Sequence, residues 1–357
     1  MKILLLADYY PAYLKAFHAA NAVGDMGYVA AQECLLSDYF GSFVSYRNHF
    51  RRIGHDCELV IGNDYVLQSQ WLREAGLPER VGPESKLGVV LQQVKAFAPD
   101  VIFMGSMFDY FGDFAREAAR VTPNLFVWIA CPYPRDLDFS GIRGVFSSVD
   151  AFVAEFRAAG LRAERLDAAF DPDILAALGP TEKCYDVTFI GGLSSRSHRH
   201  RVRALKSLVR QGIRVDLWGY GLDRGLFPNP LARSFHGEVW GLDYYRTLAQ
   251  SRITLNFHID VARSAGFAGN MRTFEATGCG CALATDGGEE VERLFRRGEE
   301  VFALENISDL ASSIRALLAD REACAALSAR GQARCIREHG YAVRIREFER
   351  ALARHLD

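Results

Sequence analysis

The residues with the clearest chemical content lie late in the chain. Asn270, Met271, Arg272 and Glu275 precede Gly278 and Gly280, and an apolar run then leads to Asp286. The pattern reads as a helix starting near Asn270 or Met271, a glycine turn and a strand. A helix amino end presents unpaired N–H groups and the positive end of its dipole, so it seats an anion. Arg272 in the first turn adds a charge-assisted contact. Glu275, one turn further on, can reach past a phosphate to a pair of sugar hydroxyls.

A second stretch runs from Gly191 and Gly192 through Arg196 and Arg199, after one apolar run and before a helical pattern at 202–210. Such a turn lets backbone amides approach a diphosphate while basic side chains neutralise charge on a departing nucleotide. The plainer reading is a solvated basic loop capping a helix. His258 and Asn256 stand at the end of the apolar run 253–257, where ligands meet open parallel sheets. His258 either contacts a transferred sugar or packs, and Asn256 either binds or pins a loop.

Near the amino terminus, Asp8, Tyr9 and Tyr10 follow one apolar run, Asp109 follows another, and Tyr133 and Arg135 follow a third. These are acceptor-side positions. Asp109 is the preferred general base, its alternative being the N-cap of a helix at 110–119. Tyr9 and Tyr10 pack or line the acceptor cleft rather than react. Asp171, Pro172 and Asp173 have the outline of a metal-holding DxD. Asp before Pro before the helical run 174–178 reads instead as an N-cap followed by Pro at the first helical position, so no metal is expected.

Other chemistries fall away. No His/Cys cluster has zinc spacing, and neither a GxxxxGK[ST] loop nor a GxSxG elbow occurs. With 42 Lys and Arg against 44 Asp and Glu, the net charge of −2 offers no broad cationic field for nucleic acid. The 8 cysteines lack CxxC pairing and read as reduced residues of a cytoplasmic protein. The first apolar run, 3–7, is too short for a signal-peptide core. No run approaches the ~20 apolar residues that span a bilayer, so membrane contact, if any, is expected to be peripheral.

The elements that must position these residues alternate between apolar runs and amphipathic stretches, as in parallel α/β folds. At 357 residues the chain is long enough for two domains. Apolar runs fall at 3–7, 57–61, 101–104, 125–130 and 151–153, with helical patterns at 44–53 and 87–97. The alternation restarts with runs at 186–190, 214–218, 253–257 and 281–285. Its break at 166–181 divides a Rossmann-like domain, 1–168, from a second one, 169–341. Helical periodicity continues at 312–318, 321–338 and 343–356, and the last segment, 342–357, is expected to fold back on the first domain.

Asn270, Arg272, Phe274, Glu275, Gly278 and Gly280, preceded by Asn256 and His258, resemble the pattern of the CgeB-like glycosyltransferases, a branch of the family 4 type GT-B enzymes. Residues 186–192 resemble the strand that opens the donor domain of that family, and Trp218-Gly219-Tyr220-Gly221 its next strand end. Residues 295–301 and 338–341 resemble its closing segments. The resemblance is clear over 180–345 and looser in the first half, through 9–14 and 169–172. It implies two Rossmann-like domains whose parallel sheets face each other across a cleft. It also implies a nucleotide sugar on the second domain, Glu275 on the nucleotide ribose, and the turn at His236, Gly237 and Glu238 near the base. Related retaining enzymes carry another Glu eight residues before Glu275. Here that position is Phe267, which leaves the stereochemical course open.

The expectation is metal-independent transfer of a sugar from an NDP-sugar to an unidentified acceptor hydroxyl, with no cofactor. It depends on 270–275 starting a helix whose amino end points into an interdomain crevice. A GT-B-shaped nucleotide-sugar epimerase and a non-catalytic nucleotide-sugar-binding or scaffold protein are the alternatives.

Overall fold

The computed structural model describes residues 1–79, 81–196, 198–222, 229–258, 270–286, 288–304 and 309–356. The departure at Phe267 lies outside them. Two compact units are present: Met1–Asp167 with Arg344–Asp357, and Ala168–Val343.

In the first unit, six strands, β1 (Lys2–Ala7), β2 (Asp56–Ile61), β3 (Val101–Met104), β4 (Leu125–Trp128), β5 (Gly144–Ser147) and β6 (Ala163–Arg165), form a sheet of order β2-β1-β3-β4-β5-β6. Every pairing is parallel, with Leu5 opposite Leu59 on one side and Phe103 on the other. The edge strands β2 and β6 carry charged residues, whereas the inner strands β1, β3, β4 and β5 are short, largely apolar and buried, as in sheets covered by helices on both faces. Those helices are α1 (Pro11–Ala20), α2 (Tyr28–Leu36), α3 (Ser42–Arg52), α4 (Tyr65–Glu74), α5 (Lys86–Phe97), α6 (Asp113–Ala119) and α7 (Asp150–Ala158).

Two expectations change here. The run 151–153 is not a strand; it lies inside α7, where Val153 and Phe156 bury one helical face. Three apolar residues carry too little periodicity to separate the two readings, and β5 just upstream takes the strand position. The helix expected at 110–119 begins only at Asp113, because Phe108–Tyr110 form a 3-10 turn and Gly112 follows at φ +65°.

The second unit contains α8 (Asp173–Leu178), β7 (Tyr185–Ile190), α9 (Arg199–Arg210), β8 (Asp216–Trp218), α10 (Gly241–Ala249) and β9 (Ser251–Asn256). It continues with α11 (Met271–Gly278), β10 (Ala282–Thr285), α12 (Gly288–Leu294), β11 (Phe302–Ala303), α13 (Leu310–Ala319) and α14 (Arg321–Glu338). Its sheet has the order β11-β10-β9-β7-β8 and is again parallel. In α9, Val202, Leu205 and Leu208 recur every third residue and bury one face, while Arg199, Arg203 and Arg210 stay off it.

Asp171 caps α8 from one position earlier than expected. Its Oδ1 accepts from the Asp173 amide at 3.2 Å, and Pro172 occupies the N-cap itself.

The last helix, α15 (Tyr341–Leu356), supplies Arg344 onward to the first unit. Its Phe348 ring meets Phe50, Phe103 and Phe146 at centroid distances of 5.4, 4.8 and 5.0 Å. Arg143 and Arg162 donate to the His355 carbonyl at 2.7 and 2.9 Å, placing cations at the negative helix end.

Each sheet reverses direction once. In the first unit the chain runs from β1 outward to β2 and then back to β3; in the second it runs from β7 to β8 and then back to β9. The carboxyl ends of β1 and β3, and of β7 and β9, therefore flank the crevices where open α/β sheets bind ligands.

Candidate functional site

Asn270 is the N-cap of α11. Its Oδ1 accepts from the Thr273 amide at 3.2 Å and the Thr273 hydroxyl at 3.0 Å. Asn256, buried at the end of β9, forms a reciprocal amide pair with Asn270 at 3.1 and 3.0 Å and also donates to Thr285 Oγ1 at 3.1 Å. The helix start is thereby fixed to β9 and β10. Among the described residues, the backbone N–H groups of Met271 and Arg272 take no acceptor, so the first turn keeps open donors for an anion.

Arg272 donates through Nη1 to the Ile190 carbonyl at the end of β7. Its Nε donates to the Tyr244 hydroxyl at 2.9 Å, and its guanidinium lies 5.4 Å from that ring's centroid. Tyr244, on α10, in turn donates to Glu275. Arg272 and Glu275, three residues apart on one helical face, are thus joined through a tyrosine from another helix. Burial raises the Glu275 carboxyl above its ordinary value, against the opposing pull of Arg272 and the Tyr244 hydroxyl. Burial works against the Arg272 charge, but Tyr244 and Glu275 outweigh it and hold the guanidinium above its usual range.

Beside this group, Gly191 and Gly192 continue from β7. Gly191 donates to the Trp218 carbonyl at 2.8 Å, and Gly219 donates to the Gly237 carbonyl at 2.7 Å. Gly219 has φ +137°, and a Cβ there would sit 1.9 Å from the Gly191 carbonyl oxygen, so the two turns meet backbone to backbone. Arg196 and Arg199 are exposed on the turn and at the first residue of α9. His236 stacks on Trp218, with centroids 4.4 Å apart and planes 21° apart, and its Nε2 lies 2.8 Å from Asp216 Oδ1. Gly237 has φ +91°, and a Cβ there would meet nothing within 4 Å among the described residues. His258 is buried, and both its backbone N–H and its Nδ1 reach Asp286 Oδ1, at 2.9 and 2.6 Å.

Two residues absent from the sequence reading matter here. Tyr244 was indistinguishable from a packing residue because its partners lie 28 and 31 positions away. Arg201 is buried and donates to the carbonyls of Gly192 at 3.1 Å and Phe257 at 2.6 Å, clamping the ends of β7 and β9 together. Its one visible signal was its place on the same helical face as Leu205 and Leu208.

The first unit gathers a separate group at the ends of β1 and β3. Lys86, at the first position of α5, lies 2.7 Å from Asp8 Oδ2 and is also ion-paired with Asp109. Tyr110 donates to Asp8 Oδ1 at 3.1 Å, and Lys86 Nζ lies 4.8 Å from the Tyr110 ring centroid. Burial raises the Asp8 carboxyl even against Lys86. Tyr9 is buried, its backbone held by the Asn63 amide at 2.9 and 2.7 Å, while Tyr10 is exposed. Tyr133 stands apart from Asp8, packed against Phe152 and Phe156 with Arg135 over its ring.

The two parallel sheets with their helices are the GT-B architecture of glycosyltransferases, and residues 196–350 match the family model described as "Glycosyl transferase-like". HepE of Anabaena, solved in complex with UDP-glucose, is 15% identical over 99% of this chain and 100% of its own, with a TM-score of 0.60. AviGT4, a glycosyltransferase involved in avilamycin A biosynthesis, is 16% identical over 100% of this chain and 98% of its own, with a TM-score of 0.62. Sucrose-phosphate synthase of Thermosynechococcus elongatus is 11% identical over 100% of this chain and 99% of its own, with a TM-score of 0.55. No curated protein matches the chain in sequence.

Proposed function

We propose that the protein is a CgeB-like hexosyltransferase that moves a sugar from an NDP-sugar to an acceptor hydroxyl without a metal. One observation carries this reading. The open amides of Met271 and Arg272, the Arg272 guanidinium and the Gly191-Gly192 turn share the carboxyl edge of one sheet, with Glu275 a turn beyond. This supports reading the group as a diphosphate seat, with the Glu275 carboxylate one helical turn further on for the ribose.

In the proposed reaction the acceptor oxygen attacks the anomeric carbon as the bond from that carbon to the diphosphate oxygen breaks. The electron pair stays on the nucleoside diphosphate, where the α11 amides, Arg272, Arg196 and Arg199 stabilise the developing charge. The acceptor proton passes to a carboxylate, for which Asp109 is the proposal in an inverting course, or to the departing phosphate in a retaining one. The proposal assigns His258 to the transferred sugar, and His236, Gly219 and Gly237 to the nucleobase. It assigns Asp8, Tyr9, Tyr10 and Tyr133 to the acceptor side. The solved complex of HepE with UDP-glucose makes UDP-sugars the first donors to test.

The cytoplasm is the proposed compartment. The 8 cysteines are all free thiols, and among the described residues no helix is long and apolar enough to cross a membrane.

The test is donor binding by calorimetry and donor turnover across UDP-, GDP-, dTDP- and ADP-sugars. Arg272→Ala and Glu275→Ala each remove charged hydrogen bonds worth about 1.5–3 kcal/mol, so donor affinity is expected to fall roughly tenfold to a hundredfold. Unchanged affinity in both variants rejects the site, and conversion of free donor to an epimer rejects transfer.

A further inference from the structure

The mixed-charge cluster of the first unit is not what local structure alone would select. Lys86 opens α5, where the helix dipole disfavours a cation, and it is 8% exposed, so its ammonium is also desolvated. An acidic or small polar residue would suit that position better. Sites that break local preference in this way are where function is expected.

The surroundings preserve the arrangement. Tyr110 leans on Asp8 Oδ1, and Gly62 leaves room for it: a Cβ at Gly62 would lie 1.9 Å from the Tyr110 hydroxyl. Asp8 and Asp109 follow β1 and β3, the two strands between which this sheet reverses direction. The cluster therefore occupies the ligand position of its sheet.

Its hydrogen-bonding capacity is incomplete in a specific way. An ammonium has three donors, and Asp8 and Asp109 take two of those of Lys86. Lys86 engages Oδ2 of Asp109, and among the described residues Oδ1 of that 53% exposed carboxylate has no hydrogen-bond partner. One donor, left only the face of the Tyr110 ring at 4.8 Å, and one acceptor thus remain without a hydrogen-bond partner among the described residues. Two carboxylates against one ammonium leave an excess negative charge.

We infer that Asp8, Lys86 and Asp109 form the acceptor subsite, that it takes a neutral polyhydroxyl acceptor, and that Lys86 is the residue selecting this class. The inference rests on the glycosyl-transfer reading above. A hydroxyl both donates and accepts, so a pair of them satisfies the free donor of Lys86 and the free oxygen of Asp109 together. A phosphate or carboxylate meets the excess negative charge. An ammonium suits the excess negative charge and the open Asp109 oxygen but has no lone pair for Lys86, so it satisfies only half of the pair.

The experiment measures nucleotide release from the donor that the protein turns over, with three acceptor pools: neutral mono- and disaccharides, sugar phosphates, and amino sugars. The neutral pool is expected to accelerate release and yield glycosylated product. Lys86→Met is expected to raise the KM for the best neutral acceptor at least tenfold while the donor KM moves less than twofold. Because methionine leaves two carboxylates facing each other and can unfold the chain, Asp109→Asn, which alters a half-exposed side chain, is the second variant. It is expected to lower the ratio of transfer to donor hydrolysis at least tenfold.

Acceleration by the phosphate or amine pool alone or by no pool, or an unchanged acceptor KM in Lys86→Met together with an unchanged transfer-to-hydrolysis ratio in Asp109→Asn, overturns the inference while leaving the donor site standing. Absence of turnover with every nucleotide sugar places the failure in the transfer reading and removes the inference with it.

Discussion

Glu275 is held by a tyrosine hydroxyl and an arginine while lying in surroundings that disfavour its charge. Because its folded-state proton affinity is raised above the ordinary 4.5, the native state binds more protons than the unfolded chain just above that pH. Wild-type stability therefore loses this contribution as pH rises through the interval. Glu275→Gln cannot titrate, so its melting temperature relative to wild type is expected to climb between about pH 4.5 and the raised value, then level off. Thermal melts of both proteins in matched buffers check this, and a flat difference would remove the burial argument. That Arg272 and Glu275 share one helical face was legible in the sequence because their spacing follows the helical period, and their types made them candidates for a diphosphate and a diol. Tyr244, Arg201 and Lys86 were not legible, because each acquires its meaning from partners that only the fold brings near.

Among the elements, α11 depends on two asparagines from different segments. Asn270 caps the helix and Asn256 holds the cap. Asn270→Ala is expected to cost about 1 kcal/mol for the lost cap, and more if the Asn256 amide is left without its partner. Urea denaturation measures the loss, and calorimetry with a nucleotide sugar is expected to show weaker binding because the open amides lose their fixed direction. The start of this helix could be read from sequence because an N-cap, a first-turn arginine and a terminal glycine turn agree with one another. The strand β5 could not. Its four residues have no alternation, being buried on both faces, and the neighbouring apolar run at 151–153 competed for the same assignment.

For the molecule as a whole, α15 completes the core of the first unit. Phe348 is fully buried among rings from α3, β3 and β5, so Phe348→Ala is expected to cost about 3–5 kcal/mol. Hydrogen exchange is expected to rise in β1, β3 and β5 while β7 and β9 keep their protection; a uniform rise would contradict the division into units. The parallel α/β plan was readable from alternating apolar runs and amphipathic stretches. The partners that Phe348 would find were not, since contact across some 200 to 300 positions leaves no local trace.

That returning helix also bears on how the chain is made. Ala168–Val343 is one continuous stretch, able to fold as soon as it leaves the ribosome, whereas the half translated first lacks its closing piece until residues from Arg344 onward emerge. During that interval the rings of Phe50, Phe103 and Phe146 wait for Phe348. The first half synthesised is thus the last to mature, and a chain released before Arg344 would offer chaperones a sticky amino-terminal half.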